Sequence, residues 1–136
     1  MKHALSLLLA ILCLDVSLLD AALKDPIRIE CSTQFRYVLD GLPDDAVHEG
    51  PPLVLIVDPN SKTLLNADGS PAGKVETFTD EEIVAVGEGE KGTWRIRIDR
   101  VFANYRRTVR LKISPDEVID ISQWGKCVRV APGKKF

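Results

Sequence analysis

Apolar residues recur with period 2 along most of this chain. Ile27, Ile29, Cys31, Thr33 and Phe35 fall in one such row, the signature of a half-buried strand over residues 27–38. Residues 53–57 are a continuous apolar run, which predicts a fully buried strand. Further short runs with strand character lie at 63–65, 74–78, 83–86, 93–102, 107–113, 118–121 and 125–130. Turn signals separate them: Asp58-Pro59-Asn60-Ser61 with Pro at the second position, Asp68-Gly69, and Ser114-Pro115-Asp116-Glu117. Residues 40–52, rich in Pro, Gly and Asp, read as a loop, and the glycines of 87–92 as a flexible connection. Thr79-Asp80-Glu81-Glu82 resembles a helix start in composition. It runs at once into Ile83-Val84-Ala85-Val86-Gly87, so it is read as a turn entering a strand. About seven or eight short strands with no convincing helix predict an all-β domain, a small antiparallel sandwich or barrel.

The clearest hairpin joins 93–102 to 107–113. Trp94, Ile96, Ile98 and Phe102 share one face, with Arg100 as the exception, and Val109, Leu111 and Ile113 share a face of the returning strand. With Asn104 and Tyr105 as the loop, Ile98 would lie opposite Leu111, and Arg97 opposite Lys112. A one-residue slip would put the two apolar rows on opposite faces, so the parity is strongly specified.

The N-terminus has a different pattern. Lys2 and His3 precede an apolar run over residues 4–14 that Ser6 alone interrupts, and Asp15 follows. Such a run is short of the roughly 20 residues a spanning helix needs, and extending it places Asp15 near its middle. It fits a signal peptide over residues 1–21, cut after Ala21, leaving residues 22–136 as one domain with no transmembrane helix. Cys13 follows Leu12 where lipidation requires a small residue, so a lipoprotein is not expected.

Removing that segment changes the cysteine count. Cys31 and Cys127 remain, and two thiols in an exported chain are expected to pair as a disulfide. The formal charge of −2 becomes −1 once Lys2, Asp15 and Asp20 are gone, which argues against bulk attraction to nucleic acid. Charge is nevertheless segregated. Residues 76–90 hold six acids and no base, whereas 95–112 hold seven bases against Asp99. Arg95, Arg97, Arg110 and Lys112 would project from the outer face of the hairpin as a candidate interaction face for an acidic macromolecule or envelope component. The acidic stretch, connected to it through 87–92, is the competing partner within the chain.

No catalytic or metal constellation stands out. His48, the one histidine of the mature domain, lies in the Pro/Gly/Asp loop without a second histidine or a nearby cysteine. Asp44 and Asp45, or Glu81 and Glu82, are adjacent carboxylates of the kind a small carboxylate-dependent hydrolase would need, but turns carry such pairs as solvated charges. Gly87-Glu88-Gly89 places glutamate where a phosphate loop would repel its ligand. No cofactor is expected. Trp94 is expected in the core, and Trp124 either packs on the disulfide or stands exposed as a contact residue.

The early Cys31, the β-rich middle and the closing Gly125-Lys126-Cys127 with its Lys/Phe tail resemble, in layout, small exported bacterial proteins of unknown function. The plan is distantly similar to the β-barrel lysozyme inhibitors of the bacterial envelope. The Ser-Gly-x-x-Tyr segment of those inhibitors has no counterpart here, since Gly69-Ser70-Pro71 reverses the order and no Tyr follows. The expectation is an exported, non-enzymatic binding protein of the periplasm or extracellular space.

Overall fold

The computed structural model describes residues 25–39 and 41–130. The expected signal segment, with Cys13 and the cut before Ala22, and the tail 131–136 lie outside the described residues. Among the described residues nine strands follow one another: β1 (Ile27–Leu39), β2 (Leu42–Pro43), β3 (His48–Asp58), β4 (Thr63–Asn66), β5 (Pro71–Phe78), β6 (Glu82–Gly89), β7 (Gly92–Asp99), β8 (Asn104–Ser114) and β9 (Glu117–Val130). Every pairing is antiparallel, and β9 returns to pair with β1. Eight strands therefore close into an up-and-down barrel, with β2 a two-residue ribbon against the end of β1. Closure leaves the eight barrel strands without an open edge, which is how a small β domain avoids edge-to-edge pairing.

The seam runs from Arg28 opposite Val130 to Leu39 opposite Ile119. Cys31 and Cys127 face each other across it with their Cα atoms 4.1 Å apart and their sulfurs at disulfide distance. Both side chains are buried. Gly125 stands beside them because β1 crosses so close that a Cβ would strike the Ser32 carbonyl.

The period-2 rows predict which side faces in. Ile27, Ile29, Val57, Leu64, Val75, Ile83, Ile96 and Ile98 all point into the lumen and form one buried cluster. Leu64, Ile83, Ile96 and Val57 are the largest side chains sealed from solvent. Outward rows alternate with them and carry charge: Arg95 with Glu76, Arg97 with Glu82, and Arg110 with Asp120. Among the described residues no helix is long and apolar enough to cross a membrane.

Four local expectations change. The loop of 40–52 shrinks, because β3 already begins at His48 and runs through Pro51 and Pro52. Those prolines sit where the β1–β3 register shifts between Cys31 and Thr33, at a bulge where the ladder does not require their missing N–H. The connection of 87–92 is mostly strand, with β6 running to Gly89 and β7 starting at Gly92. The two expected strands 118–121 and 125–130 are one, β9, of 14 residues.

The fourth concerns the hairpin. Its loop is residues 100–103, not Asn104-Tyr105, so Ile98 faces Tyr105 and Arg97 faces Arg106. Asp99 Oδ1 accepts the backbone N–H groups of Val101 and Phe102, 2.9 Å each, and Ala103 takes the left-handed turn at φ 54°. The Asp side chain organises a turn that the Asn-Tyr reading overlooked. The slip is six residues, an even number, so Trp94, Ile96 and Ile98 keep their expected face, whereas Phe102, expected beside them, falls in the turn and is exposed.

Candidate functional site

The two halves of the lumen differ in what fills them. At the end where β1 begins and β9 finishes, buried isoleucine, leucine and valine pack together, and Ile27, Ile29, Ile83 and Ile98 line a small cavity of about 180 Å³. Towards the other end the inward rows hold Trp94 on β7, Arg107 and Val109 on β8, Ile121 and Gln123 on β9, and Phe35 and Tyr37 on β1. All of these are half-buried or exposed.

Trp94 is laid flat against its own wall. Its register partner on β6 is Gly87, where a Cβ would run into the indole. At Gly73, on the next strand, a Cβ would stand 2.7 Å from the far edge of the ring. Two glycines on neighbouring strands thus open a shelf for one aromatic ring, a close approach that no other residue type permits.

Arg107 lies on top of that ring. Its guanidinium carbon is 4.8 Å from the Trp94 ring centroid, a cation–π stack. Its Nη1 donates to Gln123 Oε1 at 3.3 Å, across the β8–β9 pair. Its Nε is sealed from solvent and has no hydrogen-bond partner among the described residues. None of the ion pairs among those residues involves it. Burial depresses the Arg107 pKa below that of an ordinary guanidinium, with the neighbouring Tyr105 phenol opposing the shift. Arginine nevertheless stays protonated in proteins. A positive charge therefore sits inside the barrel beside a cavity of about 270 Å³. Leu53, Leu55 and Leu64 form the apolar wall of that cavity, and the exposed Asn66 stands at its edge.

Tyr105 marks the floor between the halves. It is buried, and its hydroxyl donates to Thr33 Oγ1 at 3.2 Å. Burial raises its pKa above the usual phenol value, and the Thr33 bond opposes that only in part.

The outer face has its own concavity, a groove of about 830 Å³ crossing β3, β1, β9, β8 and β7. Trp124 lies there, half-buried and outward-pointing, so it does not pack on the cysteine pair inside. Of the four bases singled out in the sequence, all are exposed on the outside. The register spreads them. Arg95 stands opposite Thr108, Arg97 opposite Arg106 and Arg110 opposite Thr93, with Lys112 further along β8. Lys112 is six residues from the Arg97 partner, about 20 Å along the strand. Glu76 holds Arg95 at 3.1 Å and Glu82 holds Arg97 at 2.8 Å, so the acidic stretch does lie beside the hairpin.

The remaining candidates are on the surface. Asp44 and Asp45 are exposed, as is Glu81, and Glu82 is engaged with Arg97. The Ala46 N–H, and after it the His48 ring, hold the Asp44 pKa below the ordinary carboxylate value. His48 Nε2 is 3.3 Å from Asp44 Oδ2, and its ring stacks on Phe35. Among the described residues no cluster of three His, Cys, Asp or Glu side chains has metal-binding geometry.

Sequence reasoning missed Arg107. Its signal was present, since it occupies the same parity as Tyr105, Val109 and Leu111 and is thus a charge written into an apolar row. Comparison with protein families, with curated proteins and with solved structures finds no match for this chain, so its site is read from its own geometry.

Proposed function

We propose that this chain is an exported, non-enzymatic binding protein that takes a small molecule into the open half of its lumen. One observation carries the reading. The same eight strands that bury aliphatic side chains at one end leave the other end with a larger cavity, an aromatic shelf and half-exposed inward side chains. Mouths of β-barrels are a common place for such sites, and ligand pockets are mostly apolar with a few placed polar groups. Export is supported by the N-terminal pattern and by the Cys31–Cys127 juxtaposition, whose oxidation to a disulfide requires an oxidising compartment.

The test uses N-phenyl-1-naphthylamine, a neutral probe that fluoresces in apolar surroundings. Saturable binding at one site per chain is expected, with loss of binding in Ala72→Trp, which fills the cavity from its rim. No saturable binding, or binding indifferent to Ala72→Trp, overturns the reading. Intact mass of protein from the periplasm or medium should begin at Ala22, and a retained Met1 would overturn export.

A second reading, docking of an acidic macromolecule or envelope component on the outer groove, is favoured by one observation. Arg97 and Arg106 stand directly opposite each other, Glu82 offsets Arg97, and no ion pair among the described residues involves Arg106. Like charges so placed destabilise a strand pair unless an anion joins them. Retention on an anionic resin that falls with salt and disappears in Arg106→Glu would support it. Retention unchanged in that variant would remove it.

A further inference from the structure

We infer that the lumen site selects a small carboxylate with an apolar body, its carboxylate meeting Arg107 and its hydrocarbon part lying against Leu53, Leu55 and Leu64. The inference rests on the lumen-binding reading and adds the chemistry of the ligand.

An arginine pointing into a barrel needs a reason. A charge taken out of water is expensive unless it is paired, and buried charges are accordingly paired or neutralised. Arg107 has neither remedy among the described residues. Its contacts are a neutral amide oxygen on Gln123 and the face of Trp94, while its Nε is buried without a partner. Guanidinium chemistry excludes neutralisation by proton loss at ordinary pH. The site is nonetheless built around it: Gly73 and Gly87 make room for the ring on which it lies, and Gln123 fixes one of its terminal nitrogens. A pre-positioned, under-compensated cation is a receptor for an anion, because the anion supplies the counter-charge that the fold withholds.

The rest of the ligand follows from the walls. An inorganic anion would satisfy Arg107 but leave the half-buried Leu53 beside it without an apolar neighbour in the cavity. A neutral hydrocarbon would do the reverse. The cavity, at about 270 Å³, lies just below the usual range for ligand pockets of roughly 300–1,000 Å³, so the body is short. The larger outer groove offers no comparable selectivity, because its cations are open to water and Arg97 already has Glu82.

The experiment displaces the neutral probe with octanoate, 1-octanol and inorganic phosphate, in the wild type and in Arg107→Met. Octanoate should displace at least ten-fold more effectively than octanol, and phosphate should not compete. In Arg107→Met the neutral probe should still bind while the preference for octanoate over octanol disappears. Thermal melting separates binding from scaffolding. Removal of an uncompensated charge should leave the Arg107→Met melting temperature equal to or above that of the wild type, and octanoate should raise only the wild-type value. Octanol matching octanoate, or a preference that survives in Arg107→Met, overturns the carboxylate assignment while lumen binding stands. If the probe does not bind, octanoate is titrated directly by calorimetry. No heat there overturns both readings, whereas heat that vanishes in Arg107→Met upholds the carboxylate site. A melting temperature that collapses in both Arg107→Met and Arg107→Gln makes Arg107 a structural support and ends the proposal.

Discussion

The two halves of the lumen are made from the same strands and obey the same alternation, yet they differ in kind. At the end holding Ile27, Val57, Ile83 and Ile98 these side chains are at most 7% exposed. At the other end Tyr37 is 36% and Leu39 47% exposed, although both lie on the inward-facing parity of β1. Strand length accounts for the difference. β1, β8 and β9 have 13, 11 and 14 residues, while β4 has 4, so the long strands outrun the wall that would have covered them. A barrel whose strands end together seals both ends. One with a short strand keeps a closed half for stability and an open half for something else.

The contrast can be broken most sharply by truncation on either side of it. Ile83→Ala, at a sealed position of the closed half, should destabilise by about 2–5 kcal/mol, the usual range for an Ile→Ala core cavity. Ile121→Ala, on the inward face of the open half, should cost well under that, since solvent already reaches it. Urea denaturation of both variants measures the gap, and equal losses would mean that the open half is packed after all.

The cysteine pair belongs to the closed half. We expect Cys31→Ser with Cys127→Ser to cost about 2–4 kcal/mol, because the pair closes a separation of 96 residues and so restrains much of the unfolded chain. Thiol titration of unfolded but unreduced protein should find neither cysteine free. Two free thiols, or an unchanged denaturation midpoint in the double variant, would contradict this.

Tyr105 sharpens the boundary between the halves. Its folded pKa is raised by burial, so its contribution to stability is complete below the unfolded tyrosine value of about 10 and is lost as pH rises through the higher folded value. Tyr105→Phe should cost about 0.5–1.5 kcal/mol at neutral pH through the lost bond to Thr33. It should also remove that alkaline loss, so wild type and variant converge above pH 10. Denaturation curves that stay parallel from pH 7 to 11 would show that the phenol is hydrated.

The smallest effect is expected outside the barrel. Arg95→Ala should change stability by about 0–1 kcal/mol, because the Arg95 side chain is 59% and that of its partner Glu76 42% exposed, and solvent screens such pairs. The residual effect should fade in high salt. A larger loss that is insensitive to salt would mean that the arginine stem, rather than its charge, packs on the sheet.

Much of this was legible in the chain alone. Period-2 alternation set the all-β class and the facing of each row, because a strand's side chains can only alternate. Parity survived even where the register did not: the six-residue slip of the β7–β8 hairpin left Trp94, Ile96 and Ile98 inside and Arg95 and Arg97 outside. Two cysteines near the ends of the domain anticipated a seam between the first and last strands, and charge segregation anticipated acids beside the basic hairpin. Tertiary structure decided the rest. Barrel rather than sandwich depended on β9 finding β1, a pairing between residues almost a full domain apart that no local window contains. The hairpin register depended on the Asp99 side chain capping a turn, a choice among several polar residues each able to do it. The lumen site depended on both. Arg107, Trp94, Gly87, Gly73 and Gln123 come from five strands and meet only because the register aligns them and closure folds that wall around a cavity. A sequence records which side of its strand a residue faces, and only the closed barrel sets what stands across from it.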